Sequence, residues 1–362
     1  MRRPVEVSEE PKLTPFAEVR PSLDNYWRAI ILFGRNVASY KFALGKTLLE
    51  AAQAGKTFLP LREIALPFAR HISEHLKLAD RQYHTDRSIQ FLDSCRKFNR
   101  GELSEEKLAE VTVRRGFDYV IDAFHVVSSG GLGVRFYTDE RSTPGKGIRL
   151  TDEVFRLTEL YQHRNLPFEV EARWRLVETA WELDLPTSAL VVAYDGGLEC
   201  LVAESRLTQR KAITSCRGAL NGYQKGKCFY CFRDISVVEG ANDLAEVDHL
   251  FPHVLKARLA ESRLAALIDG VWNLVLACQQ CNRGAEGKFD RPPHLDYLDR
   301  LGRRNSFLIE SHHPLRETLM LQTGATEQER LQFLQESYRC ARTEGGLVGE
   351  PWRAPDESEP AF

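Results

Sequence analysis

The sequence predicts an α+β protein in which a mainly helical N-terminal region with a small β-hairpin precedes a smaller mixed domain. Apolar residues recur at helical spacing through most of the first part of the chain. Two short strand patterns flank a turn at 142–145 that contains proline and glycine. Four of the eight cysteines form two C-x-x-C pairs, a pattern typical of a small domain whose segments are held together by sulfur ligands or bonds.

The helical region follows a polar, proline-containing segment, 1–22, which is predicted to be a flexible arm. Ile30, Phe33 and Val37 then recur at helical spacing and predict a helix over 26–49. Gly55 ends this pattern. The same periodicity predicts further helices over 61–79, 86–99, 104–127, 151–162, 167–183, 206–223 and 326–343.

The predicted hairpin consists of two short strands, 133–138 and 147–150, on either side of the turn. A third short strand is predicted at 199–203. Helices that surround one small hairpin are typical of a winged-helix-like module. The sequence therefore predicts that this region serves recognition or regulation.

The predicted elements divide the chain into five parts. The last of them is rich in acidic residues, glycine and proline and is predicted to be disordered. The parts are a flexible arm (1–22), the helical, winged-helix-like region (23–204), a basic lead-in with the second domain (205–305), a helical extension (306–343) and the acidic tail (344–362).

Composition excludes some classes of protein. The 49 lysines and arginines nearly balance the 51 aspartates and glutamates, for a formal net charge of -2, which excludes a strongly basic, histone-like protein. A local basic patch can still bind phosphate in such a chain. No apolar run is long enough for a membrane span, and the N-terminus lacks the apolar segment of a secretory signal, so the cytoplasm is the expected location.

The two cysteine pairs predict a metal site. Cys228 and Cys231 form one C-x-x-C pair, and Cys278 and Cys281 form the other. Disulfides are rare in a reducing compartment, and two redox-active pairs around one element would be a less simple explanation than metal. Four thiolates complete the tetrahedral coordination of Zn²⁺ and leave no position for substrate. The pattern therefore predicts a structural zinc.

A second group of polar residues lies between and beside these pairs. Asp248 and His249 are adjacent, Asn273 follows, and Asn282 comes directly after the last cysteine. Framed by the cysteines, this pattern resembles the HNH endonuclease family, the ββα-metal nucleases, over 225–293. That family carries Asp-His on a first strand, Asn in a connecting segment, and His or Asn on the following helix. Asn at the last position is similar to the His-Asn-Asn variant found in the HNH domain of RNA-guided CRISPR nucleases.

The resemblance implies a zinc-stabilised ββα-metal domain and a role for each residue. His249 would be the general base that takes a proton from the attacking water. Asp248 and Asn282 would hold one divalent cation against the scissile phosphate, and their oxygen ligands favour Mg²⁺ or Mn²⁺. Asn273 would fix the backbone and the orientation of His249.

Basic residues near the motif are candidates for binding the phosphate backbone of the substrate. Arg283 and Lys288 follow the second cysteine pair and are expected to contact phosphate. The segment 205–233 carries seven basic side chains and no acidic one, which indicates a rail for DNA. These seven residues are Arg206, Arg210, Lys211, Arg217, Lys225, Lys227 and Arg233.

The sequence thus predicts a metal-dependent endonuclease that hydrolyses DNA, with RNA left open as a target. By analogy, such a chain fits restriction or anti-phage defence. Two alternatives stay open. A non-catalytic zinc-ribbon module that binds nucleic acid or protein would explain the cysteines but not Asp248, His249 and Asn282. An effector nuclease could instead be held inactive by the N-terminal region until a protein partner or a small molecule releases it.

Overall fold

The computed structural model of the chain describes residues 22–32, 38–83, 90–127, 130–203, 211–311 and 313–362. Helices carry most of this part of the chain, and its strands form four small antiparallel sheets. The α+β class is therefore confirmed. No helix among the described residues is long and apolar enough to cross a membrane.

The N-terminal half is mostly helical. The predicted helix over 26–49 is two helices, and residues 33–37 between them lie outside the described part of the chain. The predicted helix over 104–127 is interrupted by a π-helical turn, Thr112–Gly116, where Gly116 packs closely against Thr112 and Phe68. The helices here are α1 (Leu23–Leu32), α2 (Tyr40–Gln53), α3 (Leu61–Leu76), α4 (Gln90–Asn99), α5 (Glu105–Val111), α6 (Val120–Ala123), α7 (Asp152–Glu159) and α8 (Leu166–Glu182).

The strands of this half are short. The strands are β1 (Phe58–Pro60), β2 (Val126–Val127), β3 (Gly130–Gly131), β4 (Tyr137–Glu140) and β5 (Gly147–Leu150). The predicted hairpin is confirmed as the antiparallel pair β4–β5, with Tyr137 opposite Leu150. β1 adds a third strand beside β5, which the sequence did not predict because three residues carry no clear alternation.

The C-terminal half combines small sheets with helices. β8 occupies part of the predicted helix over 206–223, so that helix is wrong before α9 begins. The predicted helix over 326–343 is confirmed and starts with a capping box between Thr326 and Glu329. The elements are β6 (Val192–Asp195), β7 (Cys200–Ala203), β8 (Lys211–Ser215), α9 (Cys216–Gln224), β9 (Glu246–His249), α10 (Leu255–Arg258), α11 (Arg263–Leu267), β10 (Leu274–Ala277), α12 (Gln279–Arg283), α13 (Leu295–Glu310), α14 (Arg316–Thr323) and α15 (Glu327–Thr343).

The apolar residues form two cores that share α8. Trp174 and Val177 belong to the first core, while Leu176 and Ala180 on another face of the same helix belong to the second. The sheet β6–β7–β8 packs into the second core. The boundary predicted at residue 204 is therefore corrected, because the second core begins along α8. Similarly, the boundary predicted at 305 falls inside α13.

A buried ionic cluster joins the two halves at α8. Arg28 is fully buried, and its Nε and Nη2 donate to the Glu169 carboxylate at 2.8 and 2.9 Å. Asn221 of α9 donates to the same carboxylate at 2.7 Å. Asp24 pairs with Arg28 from the preceding turn. Because a buried charge is stable only when paired, this cluster fixes α1, α8 and α9 relative to one another.

The acidic C-terminal segment packs against the second core, which corrects the predicted disorder. Trp352 and Ala354 are buried, and Trp352 bridges to Pro293 in a parallel β-bridge. The Ser358 amide donates to the Cys231 carbonyl at 2.9 Å, and Phe362 contacts Phe229. The segment is ordered because its few apolar side chains find aromatic partners, which an average over composition does not show.

Candidate functional site

The two cysteine pairs meet at one point of the second core. Cys228 and Cys231 lie in a tight turn after α9, where the Cys228 amide donates to the Arg233 carbonyl at 2.8 Å. Cys278 directly follows β10, and Cys281 lies on α12. One sulfur from each of the four cysteines lies within 4.8 Å of the others. The fold thus gathers four sulfur ligands from segments that are far apart in the chain.

The spacing of the sulfur atoms suits a tetrahedral metal. Zn–S bonds of about 2.3 Å require sulfur atoms about 3.8 Å apart, and Cys231 Sγ lies 3.8 Å from Cys278 Sγ. Hydrogen bonds from the Cys228 thiol and its neighbours hold the pKa of Cys231 and Cys278 below the ordinary thiol value. Thiolates are the form that binds metal. The cluster can therefore hold a metal such as zinc.

Beside this cluster, the chain forms two strands and a helix in succession. β9 and β10 pair antiparallel, with Asp248 opposite Val275 and His249 opposite Leu274. α12 follows β10 after a single residue, Cys278. The cysteine cluster therefore anchors the junction between the second strand and the helix.

Asp248 lies at the inner side of this unit. It is 9 % exposed, and its Oδ2 accepts a hydrogen bond from the buried Tyr230 hydroxyl. Lys288 Nζ lies 3.3 Å from the same oxygen and donates to the carbonyls of His249 and Phe289 at 3.0 and 3.1 Å. Lys288 is fully buried. The expected phosphate contact of Lys288 is corrected: its ammonium group joins β9 to the loop after α12.

Asn282 lies at the other end of β9. Its Nδ2 donates to Glu246 Oε2 at 2.8 Å, and Arg283 Nε donates to Glu246 Oε1 at 2.7 Å. The Arg283 side chain is 62 % exposed. Glu246 was missed by the sequence argument, although its position two residues before Asp248 places both carboxylates on one strand face. A groove of about 460 Å³ runs along this end. It is lined by Glu199, Arg217, Asn242, Leu244, Ala245, Glu246, Val247, Gln279, Asn282 and Arg283.

His249 contacts a different set of polar residues. Its Nε2 lies 3.1 Å from Asp269 Oδ1, and His253 Nε2 lies 3.3 Å from the same oxygen. Lys256 Nζ lies 2.5 Å from Asp269 Oδ2. Burial lowers the pKa of His249 below its ordinary value, and the charges of Asp269 and Asp248 oppose this in part. The imidazole is therefore mainly neutral at neutral pH.

Asn273 has the structural contacts expected of it. It is fully buried, and its Nδ2 donates to the carbonyls of Phe251 and Ile268 at 3.0 and 2.8 Å. Its Oδ1 accepts from the Phe251 amide at 2.8 Å. These bonds fix the chain two residues after His249. The amide is fully engaged by backbone groups, which agrees with a positioning role.

The predicted site residues fall into two groups rather than one. Glu246 and Asp248 share a face of β9, while alternation along the strand directs His249 to the opposite face. Among the described residues, no hydrogen bond joins His249 to Asp248 or to Asn282. Asp269, Glu246 and Tyr230 complete the two groups. Their spacing matches no motif that would have identified them.

The basic lead-in differs from the expected rail where the structure describes it. Arg217 pairs with Glu199 at 2.6 Å, and Lys227 pairs with Asp234 at 2.8 Å. Lys225 is 9 % exposed and ends α9 in a left-handed conformation. Acidic partners from outside the segment therefore compensate it. Arg206 and Arg210, and the side chain of Lys211, lie outside the described residues.

Comparison with protein-family models, with curated proteins and with solved structures finds no match for this chain. The sulfur cluster, the paired strands and the two polar groups are thus the features from which a function can be inferred.

Proposed function

We propose that this protein is a metal-dependent endonuclease of the HNH type that hydrolyses phosphodiester bonds in DNA. The observation that carries the proposal is the succession of β9, β10 and α12, with His249, Asp248 and Asn282 on it, anchored by a four-cysteine cluster. A non-catalytic zinc module requires only the cysteines. It gives no reason for a half-buried histidine and two polar oxygen donors on the same small unit.

The oxygen donors present fit a hard divalent cation. Asp248 Oδ2 is occupied by Tyr230 and Lys288, while Oδ1 has no hydrogen-bond partner among the described residues and is not enclosed. Asn282 donates its Nδ2 to a carboxylate, so its amide oxygen points away from Glu246. Asp248 and Asn282 would hold Mg²⁺ or Mn²⁺, whose preferred ligands are such oxygens. A bound cation would supply stabilisation of the negative charge that develops on the phosphate.

His249 would accept the proton of the attacking water. Its lowered pKa keeps the imidazole neutral and able to act as a base at neutral pH. Asn273 and Lys288 hold the backbone on either side of the histidine in place. Arg283 is exposed at the groove and would exchange its contact with Glu246 for one with a substrate phosphate.

Incubation of the purified protein with plasmid DNA, modified phage DNA and RNA, in Mg²⁺, Mn²⁺ or chelator, tests the proposal. We expect cleavage of DNA that needs a divalent cation, and a loss of roughly 100-fold or more in Asn282→Ala. Gln279→Ala changes a neighbouring residue of α12 in the same groove and serves as the matched control. Cleavage that persists in chelator would contradict the proposal. Binding of nucleic acid without cleavage in either metal would instead support the zinc-module alternative.

A further inference from the structure

We propose that Asp269 is a positioning residue for His249, which fixes the ring so that Nδ1 is the atom that takes the proton from water. The inference rests on the proposed function, because it assigns a direction to the base of that site. It concerns a carboxylate that lies outside the Asp-His, Asn and Asn positions of the motif.

Asp269 is held rigidly at the right place. It lies in the turn between α11 and β10, where the Gly270 amide donates to the Leu267 carbonyl at 2.8 Å. The Asn273 amide donates to the Gly270 carbonyl at 2.9 Å, so the turn is closed on both sides of Asp269. Its Oδ1 then lies 3.1 Å from His249 Nε2. The carboxylate is thus fixed by the backbone before it contacts the ring.

The charges around Asp269 keep it an acceptor. Lys256 Nζ lies 2.5 Å from Oδ2, and His253 Nε2 lies 3.3 Å from Oδ1. Although burial acts in the opposite sense, the hydrogen bond from Lys256 and the charge of His249 hold the pKa of Asp269 below its ordinary value. An ionised carboxylate accepts hydrogen bonds and donates none.

This contact determines the tautomer of His249. A neutral imidazole carries one N–H, and the nitrogen that faces a carboxylate must be the one that carries it. Nε2 therefore holds the proton, and Nδ1 holds the lone pair. Among the described residues, Nδ1 has no hydrogen-bond partner, and it is not enclosed, so water can reach it.

The chemical step follows from this arrangement. The O–H bond of the attacking water breaks as its proton moves to Nδ1, and the oxygen bonds to phosphorus as the bond from phosphorus to the leaving oxygen breaks. The imidazolium that forms carries protons on both nitrogens, and Asp269 stabilises its charge. Removal of Asp269 leaves the ring present but free to rotate and to exchange tautomers.

Kinetics of plasmid cleavage test the positioning role. We expect Asp269→Ala to lower kcat about 10- to 100-fold, the usual effect of losing a residue that orients a reacting group, with KM for the plasmid unchanged. Asp269→Asn keeps an oxygen acceptor and is expected to recover part of the rate. Asp243→Ala is the matched control, because Asp243 has a similar exposure and is ion-paired, with Arg164. An unchanged kcat in Asp269→Ala, or a rise in KM alone, would overturn the inference.

Nitrogen-15 NMR of ring-labelled histidine separates this inference from the proposed function. The His249 signals are assigned by their loss in His249→Gln. We expect the wild-type protein to show Nε2 protonated, and Asp269→Ala to show a mixture of tautomers. A wild-type ring protonated on Nδ1, or a tautomer that Asp269→Ala leaves unchanged, would overturn the inference. If the protein cleaves no nucleic acid, the proposed function fails, while this spectrum still decides whether Asp269 positions the ring.

Discussion

The two cores of the molecule are stabilised in different ways. The first, between α1 and α8, is packed around long helices, with large aromatic side chains such as Trp27, Phe68 and Phe91 fully buried. The second contains two four-residue strands and a five-residue helix around the site, β9, β10 and α12. Elements this short do not persist alone, because they form too few hydrogen bonds and bury too little surface. The chemical site is thus built on segments that need external anchors.

Two kinds of anchor replace length in the second core. The cysteine cluster holds the ends of the turn after α9 and of α12. Buried arginines of α13 bind backbone carbonyls: Arg304 donates to Leu274, Val271 and Trp272. Arg300 donates to the carbonyls of Phe229 and Tyr230, within the first cysteine turn. The comparison teaches that packing maintains the first core, whereas specific ligands and hydrogen bonds maintain the site.

The largest expected effect comes from removing the metal ligands. Cys228→Ser should abolish zinc binding and unfold the second core alone, because a structural zinc contributes on the order of 10 kcal/mol to small domains. Hydrogen exchange read by segment, together with metal content, measures this. Cys340→Ser is the control, since Cys340 lies outside the cluster. A Cys228→Ser protein with full zinc content and unchanged exchange would remove the basis of the comparison.

The buried ion pair at α8 tests whether the two cores are coupled. Glu169→Gln leaves the guanidinium of Arg28 without its main partner and should lower the free energy of unfolding by about 3–5 kcal/mol. The exposed pair Lys56–Glu63 provides the control, because Glu63→Gln should change stability by less than about 1 kcal/mol. Urea unfolding measures both. Equal small changes would show that the cluster does not join the halves.

The C-terminal segment sharpens the definition of the second core. Trp352 is 4 % exposed and packs on Tyr230, whose hydroxyl donates to Asp248. Trp352→Ala should lower the free energy of unfolding by about 3 kcal/mol. Val348, which is 82 % exposed, provides a control substitution to alanine with little effect. If thermal unfolding shows the same small shift for both variants, the segment does not belong to the core.

The smallest expected effect concerns pH and the first core. Hydrogen bonds to Glu171 and Glu178 raise the pKa of His75 above its ordinary value, although burial opposes this. A raised pKa stabilises the fold below about pH 6.5, and the stabilisation is lost as the pH rises through the raised value. The difference in unfolding free energy between wild type and His75→Gln should therefore be larger at about pH 6 than at about pH 8. A difference that does not change with pH would show that His75 is not charged in the fold.

The sequence predicted what depends on local spacing and missed what depends on distant partners. Periodicity located α3 and α15, and the cysteine spacing located the metal cluster. β8 was taken for helix, because a five-residue strand followed at once by a helix shows no separate period. Lys288 reads as a surface cation, yet Asp248 and two carbonyls hold it in the interior. Asp269 could not be found from spacing, because only the fold brings it to His249.

The most direct test of the central claim is the rate of plasmid cleavage by His249→Ala in Mg²⁺, measured beside the wild-type protein. His163→Ala is the control, because His163 contacts only the local Leu160 carbonyl among the described hydrogen bonds. We predict that His249→Ala keeps its zinc content and its fold but loses cleavage by about 100-fold or more, the contribution of a general base. Cleavage by His249→Ala at the wild-type rate, in a preparation free of other nucleases, would contradict the claim that this site hydrolyses DNA.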